Sequence, residues 1–174
     1  MPNLVLIGYM GTGKTTVGKK LAKRLGMKFV DTDHEIERVT GTTIKDIFDK
    51  YGEIRFRSEE KAAIRRVTRD DNLIIATGGG AVLDSENIEL LQQNGLLVCL
   101  EAKPEIIHER TKRKKNRPLL RTENPLQKII KMLAEREPFY GLASFRINTS
   151  NREIDDVVEE VGQIFVSYRD NRER

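Results

Sequence analysis

Short aliphatic runs alternate along the chain with longer stretches in which apolar residues recur every three or four positions. The short runs predict five strands, at residues 4–7, 28–31, 73–77, 96–100 and 144–147. The longer stretches predict seven helices, at residues 14–25, 43–51, 53–68, 85–94, 104–113, 125–136 and 155–168. Alternating strands and helices form βαβ units, so the pattern predicts a three-layer α/β/α fold with helices on both faces of a parallel sheet.

Composition narrows the class of protein. The 174 residues suffice for one compact domain and are too few for two comfortable ones. A formal net charge of +4 suits anionic small ligands as well as nucleic acid. The single cysteine, Cys99, lies in an apolar run, which predicts a buried thiol and excludes an internal disulfide. With two separated histidines besides, the sequence does not favour a zinc site built by the protein.

The apolar segments also bear on where the protein works. None approaches the roughly 20 residues that cross a membrane, and no basic region precedes the first apolar run. We therefore expect a cytoplasmic protein with no membrane partner.

The segment at residues 8–15 reads GYMGTGKT and matches the phosphate-loop pattern G-x-x-x-x-G-K-[ST]. It follows a predicted strand and opens a predicted helix, which is the context that gives the pattern its meaning. Its glycines let the backbone wrap around a phosphate, and the helix N-terminus adds partial positive charge. Lys14 is expected to reach the β- and γ-phosphates of ATP, and Thr15 to coordinate Mg²⁺. The pattern predicts nucleotide binding and leaves the reaction open.

Two carboxylates follow the second predicted strand, in Asp31-Thr32-Asp33. Because side chains alternate along a strand, Asp31 and Asp33 point to the same side at the edge where ligands of such folds bind. One carboxylate can then hold Mg²⁺ through water while the other accepts a proton from an acceptor hydroxyl. The structural alternative is that Asp33 caps a helix at residues 34–39.

The third predicted strand ends in Thr77-Gly78-Gly79-Gly80. Three glycines at a strand's carboxyl end allow a ligand to lie close against the backbone, although a tight turn is the simpler alternative. The aspartate that usually ends this strand in phosphate-loop proteins is missing. Its absence moves the predicted metal role to Asp31.

Cations complete the pattern of candidate residues. Arg57, Arg117 and Arg136 each carry a planar fork suited to carboxylate or phosphate, although singly each is typical of a protein surface. Residues 112–117 hold five cations in six positions. That run is either a solvated helix end or a mobile lid that closes over phosphates.

Together these segments closely resemble those of shikimate kinases. The shared segments are the phosphate loop with Met10 before Gly11, Asp31-Thr32-Asp33, Gly52-Glu53-Ile54-Arg55-Phe56-Arg57, Gly78-Gly79-Gly80, Arg117-Pro118-Leu119-Leu120 and Arg136-Glu137-Pro138-Phe139-Tyr140. They occur in the family's order, and the combination is far more specific than any one motif.

The resemblance implies a five-stranded parallel sheet of the nucleoside-monophosphate-kinase type. It implies one domain over residues 1–174, with a mobile lid at about 112–124 and substrate-binding helices at about 34–60. It also implies a monomer that uses ATP and Mg²⁺ to phosphorylate the 3-hydroxyl of shikimate, in the chorismate route to aromatic amino acids. Its partners would be small molecules, without nucleic acid.

Residue roles carry over by position. The implied nucleotide-binding residues are Gly11, Thr12, Gly13, Lys14, Thr15, Thr16, Arg110, Arg117 and Arg152, with Thr15 and Asp31 at the metal. Family members often have a proline just beyond the position of Arg152, where this chain has Glu153.

The resemblance also implies which residues bind the acceptor. These are Asp33, Arg57, Gly78, Gly79, Gly80 and Arg136. Asp33 would act as base, and Lys14 and Arg117 would join it in catalysis by neutralising the transferred phosphate.

Two other classes of function fit part of the pattern. A kinase of the same fold would act on gluconate or a nucleoside monophosphate, but the acceptor set of aspartate, arginines and glycines argues against it. A nucleotide-dependent nucleic-acid-binding protein would explain the basic stretch. The absence of aromatic residues interleaved with that stretch disfavours it.

Overall fold

A parallel sheet runs through the middle of the computed structural model, which describes residues 1–112 and 122–172. Its strands are β1 (Asn3–Ile7), β2 (Lys28–Asp31), β3 (Leu73–Ala76), β4 (Gly95–Glu101) and β5 (Phe145–Asn148). They lie in the order β2-β3-β1-β4-β5, and every pairing is parallel. The predicted strands and parallel sheet are confirmed.

Helices connect the strands. They are α1 (Lys14–Leu25), α2 (Thr32–Thr40), α3 (Ile44–Val67), α4 (Ser85–Gln93), α5 (Pro104–Thr111), α6 (Pro125–Tyr140) and α7 (Ile154–Arg172), with a 3₁₀ turn at Ala81–Leu83. Within α3, Gly52 has a non-helical backbone (φ 81°, ψ −179°) and separates two helical segments. The two helices predicted at 43–51 and 53–68, with a break at residue 52, are therefore confirmed.

The central strand β1 explains why helices cover both faces of the sheet. Val5 and Ile7 pack into one core with residues of α3, α4, α5 and α6, whereas Leu4 and Leu6 pack into a second core with α1 and α7. Successive side chains of a strand point to opposite faces, so a strand that is apolar throughout needs a layer on each side.

The register of the sheet brings three strand ends together. Asp31 at the end of β2 pairs with Ala76 of β3, and Ala76 pairs with Leu6 of β1. The residues that follow these strands are therefore neighbours at one edge. A small apolar cluster of Ile36, Ile47, Phe56 and Ala63 holds α2 against α3 above that edge.

The fold bears out the expectation for the cysteine. Cys99 is fully buried in β4, and burial raises the pKa of its thiol to about 12. Among residues 1–112 and 122–172, no helix is long and apolar enough to cross a membrane.

Candidate active site

The loop between β1 and α1 has a backbone that needs glycine. Gly8, Gly11 and Gly13 have φ of 138°, 79° and 102°, in the left-handed region that other residues rarely adopt. A side chain on Gly8 would also collide with the carbonyl oxygen of Leu100. The loop can therefore keep this path only with glycine at these positions.

Lys14 lies across that loop and is almost fully buried. Its Nζ donates to the carbonyl oxygens of Gly8 and Tyr9, at 2.7 and 2.9 Å. The hydroxyl of Thr12 donates to Tyr9 as well, at 2.8 Å, and ties the loop to itself. The ammonium group of Lys14 and the N-terminus of α1 give this loop the positive charge that would suit an anion.

At the start of α1, the hydroxyl group of Thr15 contacts the carboxylate of Asp31. The Oγ1 of Thr15 donates to Oδ2 of Asp31 at 2.9 Å. The other oxygen of Asp31 accepts from the backbone N–H of Asp33 at 3.0 Å, so Asp31 is the N-cap of α2. The alternative in which Asp33 caps the helix is wrong, since Asp33 lies inside the first turn.

The chemistry of this pair bears on a metal. Hydroxyl and carboxylate oxygens are hard ligands of the kind Mg²⁺ prefers, and Mg²⁺ usually takes only one or two from the protein. In the described parts of the chain, no group of three or more His, Cys, Asp or Glu side chains could hold a metal. Thr15 and Asp31 supply two hard oxygens, so they fit a Mg²⁺ whose remaining ligands would come from phosphates and water.

Beyond β3, the first of the three glycines lies against two acidic side chains. A Cβ built on Gly78 would be 2.8 Å from Oε2 of Glu60 and 3.0 Å from Oδ1 of Asp33. The Oγ1 of Thr32 accepts from the N–H of Gly78 at 3.2 Å. The absence of a side chain here leaves room for both carboxyl groups at the strand end.

The other two glycines face arginines. A Cβ on Gly80 would be 2.6 Å from Nη1 of Arg57, and one on Gly79 would be 3.3 Å from Nη1 of Arg136. The structure therefore brings Arg57 and Arg136, which are 79 positions apart in the sequence, to one glycine segment. The same segment adjoins the phosphate loop, because a Cβ on Gly79 would also lie 3.2 Å from the backbone nitrogen of Met10.

Arg136 is the most unusual of these cations because it is 4% exposed. Its guanidinium lies over the ring of Tyr9, 5.3 Å from the centroid. Its Nη1 is buried and has no hydrogen-bond partner within residues 1–112 and 122–172. A desolvated donor without a partner is costly, so this atom marks a position for an anionic ligand.

Tyr140, also on α6, holds the glycine segment in place. Its hydroxyl donates to the carbonyl oxygen of Gly79 at 2.7 Å, and burial raises the pKa of this hydroxyl well above its usual value. The hydroxyl therefore stays protonated and keeps donating at physiological pH.

Glu60 lies among these candidate residues and was not among those that the sequence predicted. It is 1% exposed, and its Oε1 accepts from Nη1 of Arg57 at 2.8 Å. Burial raises the pKa of Glu60 to about 7, although Arg57 acts in the opposite direction. The spacing of Arg57 and Glu60, three positions apart on one helix, was the signal that could have identified it.

Two further arginines lie on the nucleotide side. Arg110 donates to the carbonyl oxygen of Gly11 and to both oxygens of Thr149, at 2.9–3.1 Å, and so joins the phosphate loop to the turn after β5. Arg152 follows in that turn, donating to the carbonyl oxygen of Asn148 at 3.2 Å and pairing with Glu160 at 2.6 Å. Arg117 and most of the predicted lid at 112–124 lie outside the described residues.

Three features define this molecule as a phosphate-loop kinase of the nucleoside-monophosphate-kinase type. They are the order of the strands in the sheet, the phosphate loop, and the cluster of arginines and glycines at the strand ends. A family model, described as shikimate kinase, matches residues 10–165. The chain belongs to the shikimate kinase family.

Individual relatives agree with that assignment. A shikimate kinase of Thermoanaerobacter pseudethanolicus is 49% identical, over 97% of this chain and 99% of the relative. One from Pelotomaculum thermopropionicum is 50% identical, over 92% and 94%. Among solved structures, the Acinetobacter baumannii shikimate kinase in complex with shikimate is 45% identical, with a TM-score of 0.92 over 97% of this chain and 94% of that one.

A gluconate kinase, which was one alternative for this sequence, shares only its fold with this chain. A gluconokinase of Sinorhizobium meliloti is 16% identical, with a TM-score of 0.61 over 98% of this chain and 95% of that one. At this identity the similarity shows the fold alone.

Proposed function

We propose that the protein transfers the γ-phosphate of ATP to the 3-hydroxyl of shikimate, giving shikimate 3-phosphate and ADP. The observation that carries this proposal is the pair Arg57 and Arg136 around the glycine segment, next to the phosphate loop. A planar carboxylate on a small polyol fits two guanidinium groups, and glycines leave room for its ring. The related Acinetobacter enzyme was solved with shikimate bound.

On the nucleotide side, the phosphate loop would hold the ATP phosphates. The proposed contacts are Gly11, Thr12, Gly13, Lys14, Thr15 and Thr16, all in the loop or the first turn of α1. The cation of Lys14 would leave its loop carbonyls for the β- and γ-phosphates. Arg110 and Arg152, on the turn after β5 or bonded to it, would lie near the adenine.

For the metal we propose Mg²⁺ held by Thr15 and, through water, by Asp31. The contact between their side chains supports this site, as does the hardness of both oxygens. When bound, Mg²⁺ supplies charge neutralisation at the β- and γ-phosphate oxygens.

On the acceptor side, Asp33 would orient the shikimate hydroxyls and accept the proton of the attacking one. Its position supports this role, because its Oδ1 lies at the wall formed by Gly78. A general base of this kind typically contributes about 10²–10⁴ to the rate. Arg117 would reach from a lid at about 112–124 to the transferring phosphate.

These roles share one physical logic. Phosphoryl transfer needs alignment and charge neutralisation more than covalent help from the protein. Lys14 and Arg117 would stabilise the charge on the transferred group while Asp33 holds the nucleophile in line. A lid that excludes water would limit wasteful ATP hydrolysis.

A coupled assay of ADP release tests the proposed substrate. Shikimate, gluconate and nucleoside monophosphates are compared at equal concentration with saturating ATP and Mg²⁺. Shikimate is expected to give much the highest kcat/KM, and no preference for it would refute the assignment.

We also propose that the protein acts as a cytoplasmic monomer, without nucleic acid. Its membership in a family of metabolic enzymes supports this. Light scattering should give one chain mass, 19.9 kDa. Binding to DNA or RNA at low salt that weakens steeply as salt is added would contradict the second part.

A further inference from the structure

Glu60 lies beside the residues proposed to bind the acceptor and is not accounted for by the proposed chemistry. We call these residues the acceptor pocket: Asp33, Arg57, Gly78, Gly79, Gly80 and Arg136. Its Oε1 is bonded to Nη1 of Arg57 at 2.8 Å. Its Oε2 is buried and has no hydrogen-bond partner in the described part of the chain. That oxygen faces Gly78, where an added Cβ would be 2.8 Å away. A carboxyl group in this position is bonded to a guanidinium that an acceptor carboxylate would also use.

The charges facing Glu60 come from three helices. Arg57 is on its own helix α3, Asp33 is on α2, and Arg136 is on α6. Arg57 is also bonded to Glu53 at 3.3 Å, on the exposed side of α3. With Glu60 ionised, the negative charges of Glu60 and Asp33 balance the positive charges of Arg57 and Arg136 in the absence of substrate.

An acceptor carboxylate disturbs that balance. It adds a negative charge beside Arg57 and Arg136 and competes with Glu60 for the same guanidinium. Two carboxylates that share a buried site with limited positive charge cannot both stay ionised cheaply. The acceptor carboxyl has an ordinary pKa near 4 and is held by two arginines, so Glu60 is the group that changes its protonation.

We propose that Glu60 is a positioning residue that takes up one proton from the solvent when the acceptor carboxylate binds to Arg57 and Arg136. The neutral carboxyl group then releases Arg57 to the substrate while it still fills the pocket wall. No bond between heavy atoms forms or breaks, and the buffer supplies the proton. This inference rests on the proposed function, because it assumes an acceptor with a carboxylate.

The acidity of Glu60 suits this exchange. Burial raises its pKa to about 7, with Arg57 opposing the shift, so the proton exchanges near neutral pH. Below that pH Glu60 is already protonated and binding takes up no proton. Above it, uptake becomes harder as pH rises, so the Kd for the acceptor rises by up to about tenfold per pH unit.

Titration calorimetry measures the proton directly. Shikimate is titrated into the enzyme at about pH 8 in phosphate and in Tris, whose ionisation enthalpies differ widely. The dependence of the observed heat on the buffer gives the number of protons exchanged. We expect uptake of at least half a proton in the natural protein and none in Glu60→Gln, an effect that a purely structural role would not produce.

A matched control is Glu59→Gln. Glu59 is the preceding residue of α3 and pairs with Arg55 at 2.7 Å. This variant should keep the proton uptake of the natural protein. Buffer-independent heats in the natural protein, or uptake that persists in Glu60→Gln, would overturn the proposal.

Two further outcomes keep the inferences separate. Shikimate that neither binds nor is phosphorylated refutes the proposed function, whereas binding without proton exchange refutes only the role of Glu60. If Glu60→Gln does not fold, the Kd of the natural protein between about pH 6 and pH 9 decides. It should rise with pH above about 7, and a flat profile contradicts proton uptake.

Discussion

At the scale of single residues, the proposed acceptor pocket contains a buried guanidinium with one donor that has no partner among the described residues. Arg136 is 4% exposed, is flanked by the ring of Tyr9, and keeps Nη1 without a partner within the described residues. Removing such a cation from water costs several kcal/mol unless an anion or hydrogen bonds compensate. An anionic ligand beside Arg136 would therefore offset part of this cost.

Arg136→Lys tests this arrangement. Lysine keeps the charge but loses the planar fork, and a lost hydrogen bond to a charged group costs about 1.5–3 kcal/mol. The KM for shikimate should therefore rise by roughly 10- to 100-fold, with the KM for ATP nearly unchanged. Steady-state kinetics with each substrate varied measures both. Arg55→Lys, which alters an exposed pair with Glu59, should change neither, and equal rises in both constants would contradict the assignment.

Asp33→Asn separates a chemical role from a structural one. Asparagine keeps the shape and removes the proton acceptor, so kcat should fall by roughly 10²–10⁴. Binding of ATP should survive, as measured by calorimetry without shikimate. A nearly normal kcat would show that Asp33 is not the base.

At the scale of elements, the kink in α3 joins the acceptor pocket to the helices before it. Gly52 lies five residues before Arg57 and has φ 81° and ψ −179°, a combination that is essentially restricted to glycine. An added Cβ would meet no atom within 4 Å. Glycine is therefore required at position 52 because of its backbone conformation, and not because a side chain would collide with another residue.

Gly52→Ala should accordingly destabilise the fold by about 1–3 kcal/mol without any clash. For a chain of this size, each kcal/mol lowers Tm by roughly 2–4 °C. Thermal unfolding followed by circular dichroism measures the loss. Gly41→Asn is the control, since Gly41 is equally open but has φ 66° and ψ 17°, which asparagine tolerates. An equal decrease in Tm in the two variants would show that a side chain at position 52 does not strain the kink.

The sequence predicts these elements unevenly. The strands were predicted to within one residue, because short segments rich in β-branched and other apolar residues alternate with long helical patterns. The start of α2 was not predicted correctly, because Asp31 and Asp33 are equally good caps. Only the fold shows that the side chain of Asp31 accepts a hydrogen bond from the N–H of Asp33.

The residues of the candidate site were also predicted unevenly from the sequence. The phosphate loop is local in sequence and was predicted as a unit. Glu60 was missed because a lone glutamate on an amphipathic helix has the pattern of a surface residue, and only tertiary packing buries it. The bonds of Arg110 to Gly11 and Thr149 join positions 99 and 39 apart, which no local pattern reports.

At the scale of the whole molecule, acidic groups couple folding to pH in two opposite senses. Hydrogen bonds from Arg38 lower the pKa of Glu35, so its contribution to stability is present above its unfolded pKa and is lost as pH falls. Glu60 acts the other way. Because burial raises its pKa from 4.5 to about 7, the folded protein binds the proton more tightly than the unfolded chain does. Its contribution is present below pH 4.5 and is lost as pH rises through 7.

Comparing the natural protein with Glu60→Gln isolates this coupling. Between pH 4.5 and 7, the free energy of unfolding of the natural protein should fall relative to that of the variant, by at most about 3 kcal/mol. Urea unfolding at several pH values, followed by circular dichroism, gives the difference. Glu35→Gln should show the opposite slope, but only below pH 4.5, since the pKa of Glu35 is lowered from that value. A difference for Glu60→Gln that does not change with pH would mean that Glu60 stays ionised in the fold, and that its carboxylate is held by Arg57 strongly enough to offset burial.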